Sequence, residues 1–462
     1  MLNRLKPWRE ATSGSEAASY GKRAGLLSIG VGLAGVITYV FFAISSHLLP
    51  KVEYGELVIC WSAIFITVSI LQRPVEQLLS RTISDHIARG ETYSRPLLVA
   101  AGIQILVSAL FLTVALLARG PIQDGLLQGN STLYWIGIGA IAAYGASYFA
   151  RGYLAGSHRL TLYASLIISE SCIRTLFPVL VAVGVVSGQN WVALGIVAAP
   201  ALSLFCVPFA LVGRGNVGAV AGAPPAKTRD NSFSIAQGGW FAAAVLVIML
   251  SEQTFLNAGP LLVSATAGAA AAGYIFNVLM IARAPLLLFQ AVTTSLLPHL
   301  TRLRAERKEK DFHSSVRITV LAVLALGVVV AAVMAAIGPF LMQLAFSNKF
   351  DYERLGLVLV SLGMGLYLTA ATLNQGAIAQ GQVRRAATRW IVCALIFVAW
   401  TLSPLISGVD LRVELGFLGS AALLCGLLLL IYRDPKPEPG HEVRPDSPEE
   451  VELQIAAADE TS

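Results

Sequence analysis

The sequence predicts an all-α polytopic membrane protein of about twelve transmembrane helices, and three observations carry that prediction. Hydrophobic residues make up 56% of the 462-residue chain and charged residues 13%, with a mean hydropathy of +0.69. A soluble core could not cover so much apolar surface, so part of the solvent must be lipid. The apolar residues also fall in long runs of the roughly 20 residues a helix needs to cross hydrocarbon with its backbone satisfied. Finally, the basic residues are sorted: 26 of the 33 Lys and Arg fall in segments on one side, 5 on the other, and Arg174 and Arg283 lie inside spans. By the positive-inside rule the rich side is cytoplasmic, and an even number of spans puts both termini there, in a cytoplasmic (inner or plasma) membrane.

The first span, 24–47, follows a polar, basic tail, 1–23, with no small-residue cleavage site, so it reads as a retained helix and not a signal peptide. The second, 54–77, is interrupted late by Arg73-Pro74. Spans 96–118, 132–154, 161–186 and 190–212 complete a first half, 24–212. A linker rich in Gly, Ala and Pro, 213–235 (GRGNVGAVAGAPPAKTRD within it), follows and reads as flexible and cytoplasmic. The second half, 236–432, holds spans 236–258, 269–297, 316–345, 354–380, 387–407 and 413–432. The eighth span carries an internal Pro285, where a helix kinks and frees carbonyls. The tail, 433–462, is Pro-rich and then acidic, a composition that favours disorder.

The halves share faint similarity. LQRPVEQLL at 71–79 lies over FQAVTTSLL at 289–297, and Tyr54-Gly55 opens the second span as Gly273-Tyr274 opens the eighth. The end of the fourth span, AGSHR at 155–159, resembles that of the tenth, QGQVR at 380–384. A common offset points to a duplicated six-helix bundle, both copies in the same orientation.

The pI near 9.1 is a topology signal and not a nucleic-acid signal. The five cysteines lie in apolar runs without a CxxC pair and read as small core hydrophobes. No phosphate loop, HExxH or GxSxG occurs, and no soluble segment is large enough for catalysis, so a non-enzyme is expected. Chemistry is therefore sought among ionisable groups in the hydrocarbon, which need partners or a water-filled cavity. Glu170 and Arg174, four apart, share a helix face and can pair. Glu252 and Arg283 sit mid-span and are each other's natural partners, while Glu252 also offers a carboxylate to a coupling H⁺ or Na⁺. Asn257, Asn374, Gln375 and Gln380, with Tyr144, Tyr148, Tyr153 and Tyr163, add a polar strip that suggests a hydrated central cavity. Packing or an interfacial belt is the plainer role for the aromatics. With Arg174, Arg283, Arg151 and Arg73 available, such a cavity attracts an anion, and guanidinium forks suit phosphate oxygens.

Three segments resemble the polysaccharide flippases of the multidrug/oligosaccharidyl-lipid/polysaccharide (MOP) superfamily, which share the MATE fold. LLPKVEYGELVI resembles the first-to-second helix junction, YFARGYLAGSHRLTLYASLIISESCIRTLFPVL the fourth and fifth helices, and the stretch from FLNAGPLLVSATAG to LLPHLTRLRAER the seventh and eighth. The resemblance spans 24 to about 430 through diffuse motifs. It implies two six-helix lobes around a central cavity and export of polyprenyl-diphosphate-linked oligosaccharide, a surface-polysaccharide repeat unit, by alternating access. Arg174, Arg283, Arg151 and Arg73, with Asn257, Asn374 and Gln375, would then meet the diphosphate–sugar headgroup. Glu170 and Glu252 would serve ion coupling or charge pairing, with no cofactor beyond H⁺ or Na⁺. Polysaccharide polymerase and glycosyltransferases are the implied protein partners. Relatives that flip lipid II usually carry two helices after the twelfth, absent from this sequence, which favours a surface glycan, with lipid II as an alternative. A MATE-type drug/cation antiporter and a non-transporting scaffold for glycan synthesis are further alternatives. A major-facilitator exporter would show G-x-x-x-D-R-x-G-R where this chain reads LSRTISDHIARGETYSR.

Overall fold

The computed structural model describes residues 27, 29–206, 208, 235–283, 296, 300, 303 and 308–434. The expected amino-terminal tail, the linker at 213–234 and the chain after 434 lie outside these residues, as do most of 284–307. The described chain is helical without strands: α1 (Ile29–Leu48), α2 (Lys51–Leu71), α3 (Arg73–Arg89), α4 (Ser94–Leu117), α5 (Ser131–Gly156), α6 (Leu160–Ala182), α7 (Gln189–Ser203), α8 (Ile235–Ala267), α9 (Ala269–Ala282), α10 (Glu309–Phe346), α11 (Arg354–Ala379), α12 (Val383–Leu402) and α13 (Val409–Arg433). Ten of the helical segments are long and apolar enough to cross a membrane, counting α2 with α3 as one. The two remaining expected spans correspond to α7 and α9, whose continuations fall outside the described residues.

Local chemistry sets several boundaries. Pro50 precedes α2 and Asn130 caps α5, its side-chain oxygen accepting the Leu133 N–H at 3.1 Å. Arg73-Pro74 interrupts the apolar run of the second span but not its helix. Proline is tolerated in a first helical turn, where its missing N–H has no partner to lose. The backbone bonds Gln72 N–H to Val68 O (2.8 Å) and Glu76 N–H to Gln72 O (3.1 Å) carry the helix across the junction. The helix then runs to Gly90, whose φ of 69° closes it in the left-handed conformation that glycine adopts without strain. Arg81 and Arg89 therefore belong to a helix and not to a loop.

Inside the second half, α11 packs between α10 and α13, and α12 between α8 and α13. Inside the first, α5 packs between α3 and α7, and α6 lies on α7. Large apolar side chains are left outward along α4 and α10, among them Leu117 and Phe340, as a lipid-facing surface requires. Cys172 corrects one expectation, since it is exposed, whereas Cys60 and Cys393 are buried.

The halves meet where α2 crosses α8 and α9. The closest approach is at Gly55: a Cβ built there would lie 1.9 Å from the backbone oxygen of Ala269, so only glycine permits the crossing. Around it lies a seal at the end of the molecule poor in basic residues. Tyr54 Oη donates to Asn277 Oδ1 (2.5 Å), and Asn277 Nδ2 donates to Tyr352 Oη (2.9 Å). Lys349 Nζ donates to the carbonyls of His47 and Leu49, both at 2.8 Å. At the opposite, basic end, a cavity of about 400 Å³ opens beside Arg73, Glu76, Gln77, Ser80, Arg81 and Ala155. Asn277→Leu removes both hydrogen bonds that this side chain makes, each of about 1 kcal/mol. Cysteines placed along the seal should then label faster with a membrane-impermeant maleimide, and unchanged labelling would count against the seal.

Candidate site: a charge ladder across the two halves

On α5, Tyr144, Ser147, Tyr148 and Arg151 recur at helical spacing and so form one stripe. On α6, Glu170 and Arg174 face that stripe. Their meeting holds one carboxylate between two guanidiniums. Glu170 Oε1 accepts from Arg174 Nη2 at 2.9 Å and Oε2 from Arg151 Nη2 at 2.5 Å, with all three residues buried. Ser147 Oγ also donates to Glu170 Oε2 (3.3 Å). Arg174 further donates to Tyr144 Oη (2.8 Å) and Thr38 Oγ1 (3.1 Å). The two guanidiniums lie over aromatic faces, Arg174 over Trp61 at 4.7 Å and Arg151 over Tyr148 at 4.4 Å. Three of the four noted tyrosines thus serve as polar handles and not as mere packing. The third is Tyr163, whose Oη donates to Glu76 Oε1 at 2.7 Å; Tyr153 instead pairs with the Tyr93 ring at 6.4 Å.

The ladder continues along α3. Glu76 interacts with Arg151 as well as with Arg73, and Arg73 hydrogen-bonds Tyr148. Arg73 then reaches across the boundary between the halves, where its charge acts on Glu252 of α8. Arg174, Glu170, Arg151, Glu76, Arg73 and Glu252 accordingly alternate in sign through four helices. In a low-dielectric interior this order is what makes so many charges tolerable, because each has an opposite neighbour.

Arg283 stands past the end of this alternation. It caps α9, and its Nη1 donates to Asn257 Oδ1 (3.3 Å), a neutral acceptor that is itself anchored by donating Nδ2 to Gln253 Oε1 (2.8 Å). Among the described residues its buried Nε and Nη2 have no hydrogen-bond partner and no carboxylate lies within 4.0 Å of it. The expected Glu252–Arg283 pair is therefore not formed. Five residues turn an α-helix by about 140°, so Glu252 projects from a different face of α8 than Asn257, to which Arg283 is bonded. Tyr367 of α11 stands within electrostatic range of Arg283, Glu252 and Arg73 and joins the two regions.

Asn374 and Gln375 are on α11, and each has a buried side-chain oxygen without a partner. Asn374 shares the Tyr367 face of α11, two turns on, but makes no recorded contact with the ladder. Gln380 is directed elsewhere, to the carbonyl of Tyr432 (3.4 Å). Glu76 and Tyr367 were not among the expected site residues. Glu76 had a signal in its i, i+3 spacing from Arg73, hidden because Arg73-Pro74 reads as a helix end. Tyr367 had none, since its contacts all come from other helices. A further buried carboxylate, Glu414 of α13, lies at the far end near Asp410 and Glu353, with Oε1 unpartnered.

No protein-family model and no curated protein matches this sequence. Solved structures do resemble it. An Asp-to-Asn mutant of the Vibrio cholerae MATE transporter VcmN superposes with a TM-score of 0.62 at 18% identity, covering 90% of this chain and 97% of that one. A multidrug-resistance MATE-family transporter of the MOP superfamily, in an inward-facing conformation, gives 0.59 at 12% identity over 93% and 96%. A eukaryotic MATE transporter gives 0.59 at 13% identity over 90% and 97%. The fold of this chain is thus the MATE fold, over about 90% of its length.

Proposed function

We propose that this chain, on its MATE fold, moves a polyprenyl-diphosphate-linked oligosaccharide across the cytoplasmic membrane by alternating access. The observation that carries the reading is Arg283, whose guanidinium keeps two buried nitrogens, Nε and Nη2, without a partner among the described residues and has a neutral partner on the third. An uncompensated charge there costs several kcal/mol and is kept where a ligand supplies the counter-charge. Four arginines against Glu170, Glu76 and Glu252 leave one positive charge over, and a diphosphate oxygen pair fits a guanidinium fork. Asn257, Asn374 and Gln375 supply amides for sugar hydroxyls, and Glu252, at the boundary of the halves, is the carboxylate for H⁺ or Na⁺ coupling. If the basic end is cytoplasmic, the sealed far end and the cavity by Arg73 describe a form ready to load from the cytoplasm. Export then requires the Tyr54–Asn277–Tyr352 and Lys349 contacts to part. Glycosyltransferases and polymerase would supply and consume the cargo.

In proteoliposomes holding a fluorescent polyprenyl-diphosphate oligosaccharide, Arg283→Ala should lower the translocation rate by about a hundredfold, equivalent to roughly 3 kcal/mol for a lost charged hydrogen-bond pair. Arg283→Lys keeps the charge without the fork and should fall between. Wild-type rates in both, with normal insertion, would overturn the assignment. A MATE-type drug/cation antiporter is the second reading, favoured by the three carboxylates of the ladder and by the likeness to a multidrug-resistance transporter. It predicts efflux of a cationic dye that depends on Glu252 and ignores Arg283.

A further inference from the structure

A second cavity lies on the other side of α2 and α5 from the ladder. It measures about 550 Å³, within the usual range of small-molecule sites, roughly 300–1,000 Å³, and is enclosed by the α2–α3 junction, α4 and α5. No charged side chain lines it. Its walls are apolar, and the short side chains of Ala142 and Ala146 leave space along this face of α5. Only 11% of the most apolar window of α4 is buried inside the protein, and Ile105 on its rim is exposed, so the cavity opens into lipid.

At its base sit two buried glutamines, Gln72 and Gln104. Gln104 Nε2 donates to Gln72 Oε1 (2.6 Å) and to Ser108 Oγ (3.1 Å). Gln72 Nε2 and Gln104 Oε1 have no partner. Among the described residues one donor and one acceptor are thus left idle on two amides bonded to each other, in a place where each costs about 1–3 kcal/mol. Room for the amides comes from Gly145 of α5, where a Cβ would lie 2.8 Å from Gln104 Nε2 and 3.4 Å from Gln72 Nε2. A simple clasp between helices would use both amides fully and close over them.

We propose that this cavity binds a neutral amphiphile dissolved in the bilayer, with one group that both donates and accepts a hydrogen bond, a hydroxyl or a primary amide, on an apolar body. The idle donor and acceptor together complement such a group, the absence of charge excludes an ion, and the opening admits the ligand from lipid. The reading does not depend on what passes through the central cavity.

The test uses the full-length protein in phosphatidylcholine vesicles with two photoactivatable probes, a long-chain alcohol and the matching alkane. The alcohol should label the α4 and α5 segments around Gln104 about tenfold more than the alkane. Gln104→Leu should reduce alcohol labelling to the alkane level, and Ala146→Phe, on the exposed rim, should remove labelling by both. Equal labelling by the two probes, or alcohol labelling that survives both variants, would overturn the proposal and leave the glutamines as a clasp. Ala146→Phe leaves the glutamine pair intact and so separates loss of the site from loss of folding.

Discussion

Glu170→Gln should cost about 3–5 kcal/mol of stability, the penalty for removing one partner from a buried ion pair. The substitution keeps the shape of the side chain but leaves Arg151 and Arg174, both buried, facing each other across a neutral amide. Neither can turn to water, because Tyr148 and Trp61 stack on their guanidiniums and α5 and α6 hold their stems. Purified protein should show a markedly lower unfolding temperature and early loss of the monodisperse peak on size exclusion. Adding Arg174→Met removes the second charge, and Arg151 still has Glu76, so the double variant should recover part of the loss. An unfolding temperature equal to that of the native protein in Glu170→Gln would show that the clamp contributes nothing to the fold.

Gly55→Val should drive the two halves apart at the far end. A Cβ at this position meets backbone, not a flexible side chain, so α2 and α9 must separate by roughly 1 Å or more before ordinary contact is restored. Separation breaks the Tyr54–Asn277–Tyr352 chain and withdraws Lys349 from the carbonyls at the end of α1. Ser46→Cys, buried in the sealed arrangement, then becomes reactive to an impermeant maleimide. Gly273→Ala is the milder companion, since its Cβ would come only to 3.1 Å from the Tyr54 ring, which can shift. Equal protection of Ser46→Cys in Gly55→Val and the parent would mean that the crossing is not what closes this end.

These two sites differ in how much of them is legible in the sequence. The i, i+4 spacing of Glu170 and Arg174 and their depth in an apolar run already required a pair, and the pair is there. Arg151 was legible as one of four cavity arginines but not as a partner of Glu170, yet it makes the shorter of Glu170's two contacts. Tyr54-Gly55 and Gly273-Tyr274 were legible as matching openings of two spans. Their direct meeting at the crossing of α2 and α9 was not, because a repeat gives equivalence and not contact.

Hydropathy and the length of the apolar runs are properties of the chain read along its length, and they suffice for an all-α membrane fold. Bilayer thickness and the lack of water in hydrocarbon impose them directly, without knowledge of any neighbour. Which charge faces which is another matter. Periodicity orients a residue about its own helix axis but says nothing of the helix placed opposite. Hence Glu252 feels the charge of Arg73, Glu76 enters the ladder, and Arg283 meets the neutral Asn257 instead of the carboxylate expected for it. Only the packing of α3, α5, α6, α8 and α9 against one another decided that.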